Sequence, residues 1–227
     1  MTVALVPAAG RGERLGAERP KALVPVHGLP LVTHAVRGLL NAGCVRHVVV
    51  AAPLANLAEM TAALADLGAD VTVVPGGADR TESVRLALHA ALAVLPETRI
   101  VLVHDAARAF TPPALVRSVT AAVAAGAAAV VPVMPVTDTV KRVDAAGVVV
   151  ETPSRVDLRA VQTPQGFAVD VLLRAYEGYA VAGGAATDDA GLVERIGVPV
   201  HTVPGDVAAM KITTAFDLAV AEAVLAR

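Results

Sequence analysis

The 227-residue sequence predicts an α/β fold, in which a mainly parallel twisted sheet is flanked by helices and carries an inserted β-hairpin arm. Short valine-rich apolar runs alternate with helical patterns along the chain, which is typical of a parallel sheet with crossover helices. The alternation stops once, at about residues 136–165, where two β-type runs are joined by a glycine-containing turn. Because no linker, low-complexity tract or internal repeat divides the sequence, we expect one domain over residues 1–227 that includes this arm.

The individual elements follow from the spacing of the apolar residues. The apolar runs predict strands at residues 3–7, 47–51, 71–74, 100–104, 128–132 and 200–203. The patterns between and after them predict helices at residues 31–41, 54–67, 82–95, 113–125, 169–181, 188–196 and 215–225. Gly43 is expected to stop the first helix, and Thr81 to cap the third. The resulting sheet is Rossmann-like, and ligands of such sheets bind outside the carboxyl ends of the strands.

The arm interrupts the α/β pattern between Val136 and Gln165. Residues 139–143 and 148–151 are the two β-type runs, and the turn at 144–147 predicts that they form a hairpin. Such an excursion either covers an active site or reaches a partner subunit. We interpret Thr163-Pro164-Gln165, after the hairpin, as a rigid polar turn.

Composition excludes several classes of protein. The formal net charge is −2, aromatic residues are 2% of the chain and Trp is absent, so neither a basic surface nor stacking platforms for nucleic acid are indicated. Cys44 is the single cysteine, which rules out an internal disulfide and fits a reducing cytoplasm. The six histidines lack the spacing of zinc ligands.

Neither a membrane span nor a signal peptide is predicted. Residues 119–136 carry no charge, but alanine and glycine dominate them, and Pro132 and Pro135 break any helix near their end. A helix ending near Gly126 followed by a buried strand accounts for this stretch better. The apolar run at the N-terminus has no preceding basic region and therefore predicts a first strand.

The most informative segment is the glycine-rich loop after the first strand. Gly10, Gly12 and Gly16 allow successive backbone amides to turn toward one bound anion, and Arg14 and Lys21 add positive charge. A site that holds a polyphosphate and stabilises charge as a phosphoryl bond breaks needs this combination. The spacing matches neither the usual phosphate loop nor the dinucleotide fingerprint.

Two further segments follow predicted strands and are expected at the same sheet edge. In residues 76–83, backbone amides and the Ser83 hydroxyl could hold a base or ribose, although an ordinary capped loop explains these residues as well. Asp105 could hold Mg²⁺ or a substrate hydroxyl and Arg108 an anion, or the two could pair to close a loop. For Asp188-Asp189, helix capping is favoured over metal binding.

A series of short motifs runs in order along nearly the whole chain. They are Pro7-Ala8-Ala9-Gly10-x-Gly12-x-Arg14, Pro20-Lys21, Gly76-Gly77-x-x-Arg80-x-x-Ser83-Val84, Val103-His104-Asp105-Ala106-Ala107-Arg108, Asp138-Thr139-Val140-Lys141, Thr163-Pro164-Gln165, Thr187-Asp188-Asp189-Ala190 and Lys211-Ile212-Thr213. In this order they resemble the 2-C-methyl-D-erythritol 4-phosphate cytidylyltransferase family of the non-mevalonate isoprenoid pathway. The first and fourth motifs are the most specific.

The resemblance implies a nucleotidyltransferase that transfers CMP from CTP to the phosphate of methylerythritol phosphate and releases pyrophosphate, with a divalent cation, usually Mg²⁺. A substrate phosphate oxygen attacks the α-phosphorus in line, so positioning and charge stabilisation supply most of the catalysis. The resemblance also implies a homodimer whose arm crosses to the partner and completes its site.

Residue roles are carried over by the same resemblance. It implies that Arg14 and Lys21 stabilise the transition state and that Asp105 is the metal ligand. The polyol phosphate is expected to be positioned by Arg155 and Lys211, with Asp105, Arg108, Thr139 and Thr163 around it. The cytidine pocket is expected to be lined by Ala8, Ala9, Gly10, Gly12, Gly77 and Ser83.

Some positions depart from the family pattern, and two alternatives stay open. Ala109 stands where proline usually follows Arg108, Ala78 where an acidic residue often follows the Gly-Gly pair, and Ala208-Ala209-Met210-Lys211 where asparagine is common before the last two residues. A cytidylyltransferase for another polyol phosphate, such as ribitol 5-phosphate, shares the same motifs. A non-catalytic nucleotide-binding protein is disfavoured, because it needs the glycines but not the two cations. We expect no second enzyme to be fused to this domain.

Overall fold

The computed structural model describes residues 1–8, 20–182 and 187–225. In this part of the chain the strands are β1 (Thr2–Pro7), β2 (Pro25–Val26), β3 (Leu29–Pro30), β4 (His47–Ala52), β5 (Val71–Pro75), β6 (Ile100–Val103), β7 (Ala129–Pro135), β8 (Arg142–Val143), β9 (Val149–Glu151), β10 (Arg159–Val161), β11 (Gln165–Ala168) and β12 (Val200–Pro204). The α-helices are α1 (Leu31–Asn41), α2 (Leu57–Leu64), α3 (Arg80–Val94), α4 (Pro113–Ala124), α5 (Val169–Ala182), α6 (Asp189–Arg195) and α7 (Ala215–Leu225).

The main sheet of the described residues is mixed but mostly parallel. Its strand order is β10-β7-β11-β6-β1-β4-β5, and β12 also pairs with β7. The pairs β1–β4, β1–β6, β4–β5 and β7–β12 are parallel, whereas β11 runs antiparallel to β6 and β7, and β10 antiparallel to β7. The predicted α/β fold with a mainly parallel sheet is therefore confirmed.

Helices cover both faces of this sheet, which explains the continuous apolar sequence of the central strands. Along β1, Val3 and Leu5 pack into one buried cluster with side chains of α3, α5 and α6. Ala4 and Val6 point the opposite way and pack with side chains of α1, α2 and α4. Because alternate residues of a strand face opposite sides, both sets must be apolar when both faces are covered.

The predicted strands correspond to β1, β4, β5, β6, β7 and β12, but β11 was not predicted. Gln165 begins this strand instead of closing a turn, and Phe167 is fully buried. Gly166 lies against α4, since a Cβ at this position would come within 2.6 Å of Val119 Cγ1. A glycine in a strand often marks such a close approach, but the sequence alone does not distinguish it from a turn.

Helix boundaries differ from the predicted ones at two places. The helix predicted over 54–67 is only α2, flanked by short 3₁₀ segments, and Gly68 has a φ of 77°. Asp79, not Thr81, caps α3, because its carboxylate accepts the Glu82 amide at 2.8 Å. Gly43, with a φ of 72°, directly follows the C-cap of α1, as predicted.

The predicted hairpin is confirmed. Strands β8 and β9 are antiparallel, with Arg142 opposite Glu151 and Val143 opposite Val149. Arg142 and Glu151 form an ion pair across the strands. Val143 and Val149 are each 52% exposed, so the arm presents apolar side chains to its surroundings.

No helix in the described ranges is both long and apolar enough to cross a membrane. The uncharged stretch at 119–136 is divided between the end of α4 and β7, with Gly126 at a φ of 110° between them. The predicted division into a helix and a buried strand is confirmed.

Candidate active site

The segments that follow β1, β5 and β6 meet at one edge of the sheet. The Ala8 amide donates to the Ala51 carbonyl at 2.8 Å, and the Gly76 amide to the Ala52 carbonyl at 2.7 Å. On the other side of β1, the His104 amide donates to the Leu5 carbonyl at 2.9 Å. These bonds extend the parallel ladder past the strand ends, and the predicted convergence at the carboxyl edge is found.

Asp105 lies at the centre of a charged cluster at this edge. Lys211 Nζ lies 2.7 Å from Asp105 Oδ2, and Arg80 Nε lies 3.4 Å from Asp105 Oδ1. The three residues come from separate parts of the chain: the start of α3, the segment after β6 and the segment after β12. The Asp105 side chain is 14% exposed and that of Lys211 46%, so Lys211 forms the accessible end of the cluster.

The two cations determine the charge of this carboxylate. Burial alone raises the pKa of Asp105, but the charges of Arg80 and Lys211 outweigh burial and hold the net pKa well below the usual range. Burial also disfavours the Arg80 cation, yet Asp189 and Asp105 together raise the Arg80 pKa. Asp105 and Arg80 are therefore both charged at neutral pH.

A second carboxylate lies behind Arg80. Arg80 Nη2 forms an ion pair with Asp189 Oδ2 at 2.8 Å, and the Tyr176 hydroxyl donates to Asp189 Oδ1 at 2.5 Å. Asp189 is 1% exposed. Burial first, and then the Asp189 carboxylate, raise the pKa of Tyr176, which keeps its hydroxyl proton for donation.

The two adjacent aspartates therefore have different roles. Asp188 caps α6 as predicted, with its carboxylate accepting the Gly191 amide at 2.9 Å. The capping interpretation is wrong for Asp189, which points inward to Arg80. The sequence contains a signal for this difference: one cap residue is enough for a helix start, so the second carboxylate, Asp189, has no capping role.

Thr163 lies beside Asp105 and also contacts a buried histidine. The Thr163 hydroxyl accepts the Asp105 amide at 3.1 Å and lies 2.9 Å from His104 Nδ1. Burial lowers the pKa of His104 to about 4, so the ring is neutral at physiological pH. Thr163 and Asp105 are thus brought together as predicted, by a direct hydrogen bond, and His104 contacts the same hydroxyl.

Arg108 holds the segment that carries Lys211. Its Nη1 donates to the Ala209 carbonyl at 2.7 Å and its Nη2 to the Val161 carbonyl at 3.1 Å. The Ile212 amide also donates to the Ala107 carbonyl at 2.9 Å, on the far side of Lys211. The predicted contact of Arg108 with a substrate anion stays a prediction.

A small apolar cluster joins the segment after Lys21 to the rest of the site. Val24 and Val26 pack with Ala109 and Ile212 in this cluster. These residues follow Lys21, Arg108 and Lys211 along the chain, so this one cluster holds three site segments together. Ala109, where the family usually has proline, is 3% exposed and belongs to this packing.

Lys21 starts a short 3₁₀ turn and lies within electrostatic reach of the C-terminal segment. Amide hydrogen bonds from Thr213 and Thr214 lower the pKa of Asp217, and the Lys21 charge lowers it further. Lys21 and Lys211 therefore both lie near the segment of residues 213–217, as expected for segments that follow strands of the sheet.

The loop of residues 76–83 is internally bonded. The Gly77 amide donates to Ser83 Oγ at 3.1 Å, and that hydroxyl donates to the Asp79 carbonyl at 2.7 Å. A Cβ at Gly77 would overlap the Glu82 side chain. Ser83 thus fixes the loop, while a contact of Gly77 or Ser83 with cytidine stays a prediction.

Other predicted residues lie outside this cluster. Ala9, Gly10, Gly12 and Arg14 lie outside the described residues. Thr139 and Arg155 are exposed on or beside the arm, where Arg155 donates to the Thr137 carbonyl. In the described part of the chain, neither makes a hydrogen bond or ion pair with Asp105 or Lys211.

The described residues offer few ligands for a divalent cation. The described residues contain no group of three or more His, Cys, Asp or Glu side chains that could hold a metal. Asp105 supplies one carboxylate, flanked by two cations. This set does not suit a metal held by protein alone, but it suits Mg²⁺ bound mainly through substrate phosphates, which typically adds only one or two carboxylates.

Fold and site together define an α/β nucleotidyltransferase, in which a glycine-rich segment follows the first strand and cations gather at the carboxyl edge of the sheet. The family model of IspD, 2-C-methyl-D-erythritol 4-phosphate cytidylyltransferase, matches residues 2–227. The chain belongs to this family.

Relatives match over nearly their whole length. The 2-C-methyl-D-erythritol 4-phosphate cytidylyltransferase of Saccharopolyspora erythraea is 66% identical, over 99% of this chain and 99% of its own. That of Nocardia farcinica is 58% identical, over 99% of this chain and 94% of its own. The crystal structure of that enzyme from Thermus thermophilus has a TM-score of 0.79 at 33% identity, over 100% of both chains. The 4-diphosphocytidyl-2C-methyl-D-erythritol synthase of Anaerococcus prevotii has a TM-score of 0.86 at 26% identity, over 100% of this chain and 99% of its own.

Proposed function

We propose that this protein transfers CMP from CTP to 2-C-methyl-D-erythritol 4-phosphate, giving 4-diphosphocytidyl-2-C-methyl-D-erythritol and pyrophosphate in isoprenoid precursor synthesis. The family match over residues 2–227 carries the proposal. It is supported by the 66% identity to a relative that bears the name of this enzyme.

The chemistry asks the protein mainly to position two anions and to neutralise charge. An oxygen of the polyol phosphate attacks the α-phosphorus, the bond to the bridging oxygen of the β-phosphate breaks, and pyrophosphate leaves with that electron pair. Lys21 lies at the end of the glycine-rich segment and is suited to stabilise the charge that develops on the phosphates. Arg14 is proposed to act with it.

The polyol phosphate is proposed to bind at the accessible end of the charged cluster. Lys211 Nζ is suited to the phosphate, and the ionised Asp105 can accept a hydrogen bond from a substrate hydroxyl. The charges of Arg80, Lys211, Asp105 and Asp189 balance one another, so further cations must compensate the bound phosphates. Lys21, Arg14 and Arg155 are the proposed source of that charge.

A divalent cation, Mg²⁺, is proposed to accompany CTP, with Asp105 as its protein ligand. When bound, it neutralises charge on the phosphates and on the leaving pyrophosphate. Loss of pyrophosphate release after chelation of divalent ions, restored by added Mg²⁺, tests this part of the proposal.

The protein is further proposed to be a homodimer in which each arm completes the partner's site. The exposed apolar side chains of the arm support this, because contiguous exposed valines are typical of an interface. Within the described part of one chain, neither Thr139 nor Arg155 forms a hydrogen bond or ion pair with Asp105, which supports it as well. Light scattering should give twice the 22.9 kDa mass of one chain, and a monomer at concentrations where the enzyme is active contradicts the idea.

We also propose that the protein acts in the cytoplasm. The single, half-buried Cys44 fits a reducing compartment. Fractionation of the source cells with an antibody against the protein tests this assignment.

The deciding experiment measures pyrophosphate release with CTP and Mg²⁺, comparing methylerythritol phosphate with ribitol 5-phosphate. We expect a far higher kcat/KM for methylerythritol phosphate. A preference for ribitol 5-phosphate supports the alternative polyol substrate, and release with neither one contradicts the proposed function.

A further inference from the structure

Arg80 connects the core of the protein to the accessible end of the site. One guanidinium contacts two carboxylates from different elements, Asp105 at 3.4 Å and Asp189 at 2.8 Å. Asp189 is 1% exposed and is fixed on its other side by the Tyr176 hydroxyl at 2.5 Å. The planar fork of arginine suits such a double contact, which a lysine ammonium cannot reproduce with the same geometry.

The connection continues outward through Asp105. Its second oxygen, Oδ2, contacts Lys211 at 2.7 Å, while Oδ1 contacts Arg80. The Asp105 amide is held by Thr163, so the backbone and one carboxylate oxygen are both fixed. The orientation of Asp105, and with it the position of Lys211 Nζ, therefore depends on Arg80.

A second arginine on the same helix makes a useful contrast. Arg85 Nη2 forms an ion pair with Glu82 Oε1 at 2.6 Å, one turn away on α3, and both side chains are more than a third exposed. This pair contacts neither Asp105 nor Lys211. Ion pairs of this exposed kind contribute little to stability or to distant sites.

We propose that Arg80 is a positioning residue that orients Asp105 and thereby presents Lys211 to the phosphate of the polyol substrate. This inference rests on the proposed function, since it assigns Lys211 to that phosphate. Arg80 acts through Asp105 and is not proposed to touch either substrate.

The main test is a split between the two Michaelis constants. At saturating Mg²⁺, Arg80→Met should raise KM for methylerythritol phosphate by about tenfold or more and leave KM for CTP within about twofold, because Mg²⁺ is bound mainly through the CTP phosphates and Lys211 serves only the polyol side. Arg80→Lys should lie between Met and wild type, since one ammonium can hold one carboxylate. Arg85→Met, the matched control on α3, should behave as wild type.

Coupling to Lys211 separates positioning from a general disturbance. In a Lys211→Ala background, Arg80→Met should change KM for methylerythritol phosphate by much less than it does in wild type, because the main residue that it positions is gone. If the KM increases of the two single variants multiply in the double variant, the effects are independent and the proposal is overturned. An equal rise in both Michaelis constants also overturns the proposal, because Arg80 then only supports the loop at residues 76–83.

Folding is controlled by a paired variant. Arg80→Met leaves the buried Asp189 without its counter-ion and can lower stability on its own account. Arg80→Met with Asp189→Asn removes that uncompensated charge and should recover the melting temperature while keeping the raised KM. Recovery of KM together with stability overturns the proposal.

A crystal structure of this double variant tests the geometry without turnover. We expect Lys211 to have lost its ion-pair contact with Asp105, and an unchanged contact contradicts the inference. The wild-type assay separates the two claims. If wild type releases no pyrophosphate, the proposed function fails, even if the contact between Lys211 and Asp105 depends on Arg80. If wild type is active and Arg80→Met has unchanged Michaelis constants, only the positioning role is contradicted.

Discussion

Replacing Gly166 by alanine should destabilise the fold, because a methyl group has no room between β11 and α4. A Cβ built at Gly166 lies 2.6 Å from Val119 Cγ1, 3.0 Å from Val123 Cγ2 and 3.3 Å from Leu102 Cδ2. Overpacking a buried site typically costs about 1–3 kcal/mol, against about 0.4–1 kcal/mol gained by restricting the unfolded chain. We therefore expect the free energy of unfolding to fall by about 1–2 kcal/mol.

The matched control is Gly178 in α5. Among the described residues, a Cβ there comes close only to Ile196 Cγ2, at 3.4 Å, which is ordinary van der Waals contact. Alanine is better than glycine inside a helix by about 0.5–1 kcal/mol, so Gly178→Ala should stabilise the protein. The same chemical change is thus expected to have opposite signs at two positions.

Urea unfolding and thermal melting measure both variants. For a chain of this size, about 1 kcal/mol corresponds to about 2–4 °C in melting temperature. The Gly166→Ala variant should therefore melt about 2–8 °C below wild type and Gly178→Ala slightly above it. A Gly166→Ala protein as stable as wild type refutes the argument, since α4 then does not press on β11 as closely as the distances state.

Three other predictions concern the site, the arm and pH. Lys21→Ala should lower kcat by about 10²–10³ while the affinity for CTP stays within about tenfold, because the lysine stabilises the transition state more than it stabilises bound CTP. Steady-state kinetics and CTP titration measure the two quantities. An equal loss of both means that Lys21 only binds CTP. Val143→Asp with Val149→Asp should leave the circular dichroism unchanged, since both side chains are 52% exposed in one chain, but should give monomers by light scattering with reduced activity; an active dimer argues against the proposed interface. Burial lowers the pKa of His104 to about 4, below its ordinary 6.5. Between pH 6.5 and about 4, only the unfolded chain binds the proton, so the protein is fully stable above pH 6.5 and loses stability as the pH falls. This loss reaches about 3 kcal/mol, and urea midpoints at about pH 7 and about pH 5 should differ in wild type but less in His104→Gln.

The strands that are buried on both faces could be predicted because burial leaves a direct mark on their sequence. Each residue from Val3 to Val6 in β1 and from Val48 to Ala52 in β4 packs into one of the two apolar layers, so both runs are continuously apolar. Asp105 could be placed at the sheet edge as well, since a polar residue close behind a buried strand lies there. For Asp105 and Lys21, the ordered motifs predict the chemistry.

The short strand β11 could not be predicted in the same way. Its four residues include Gly166, which makes sense only beside Val119 of α4. Its antiparallel direction follows from the chain reversal at the arm, and no local pattern in the sequence specifies which strands it joins.

The sequence by itself determined the layered α/β architecture, the hairpin arm and the position of Asp105 at the carboxyl edge, because these depend on burial patterns and on neighbours along the chain. Only the tertiary structure decided which charges pair. Arg80, Asp105, Asp189 and Lys211 come from four separate segments, and their contacts depend on how α3, α6 and the C-terminal segment pack on the sheet. Coulomb energies change over a few ångströms, so the partners of a charge are fixed by packing distances that a sequence pattern does not contain.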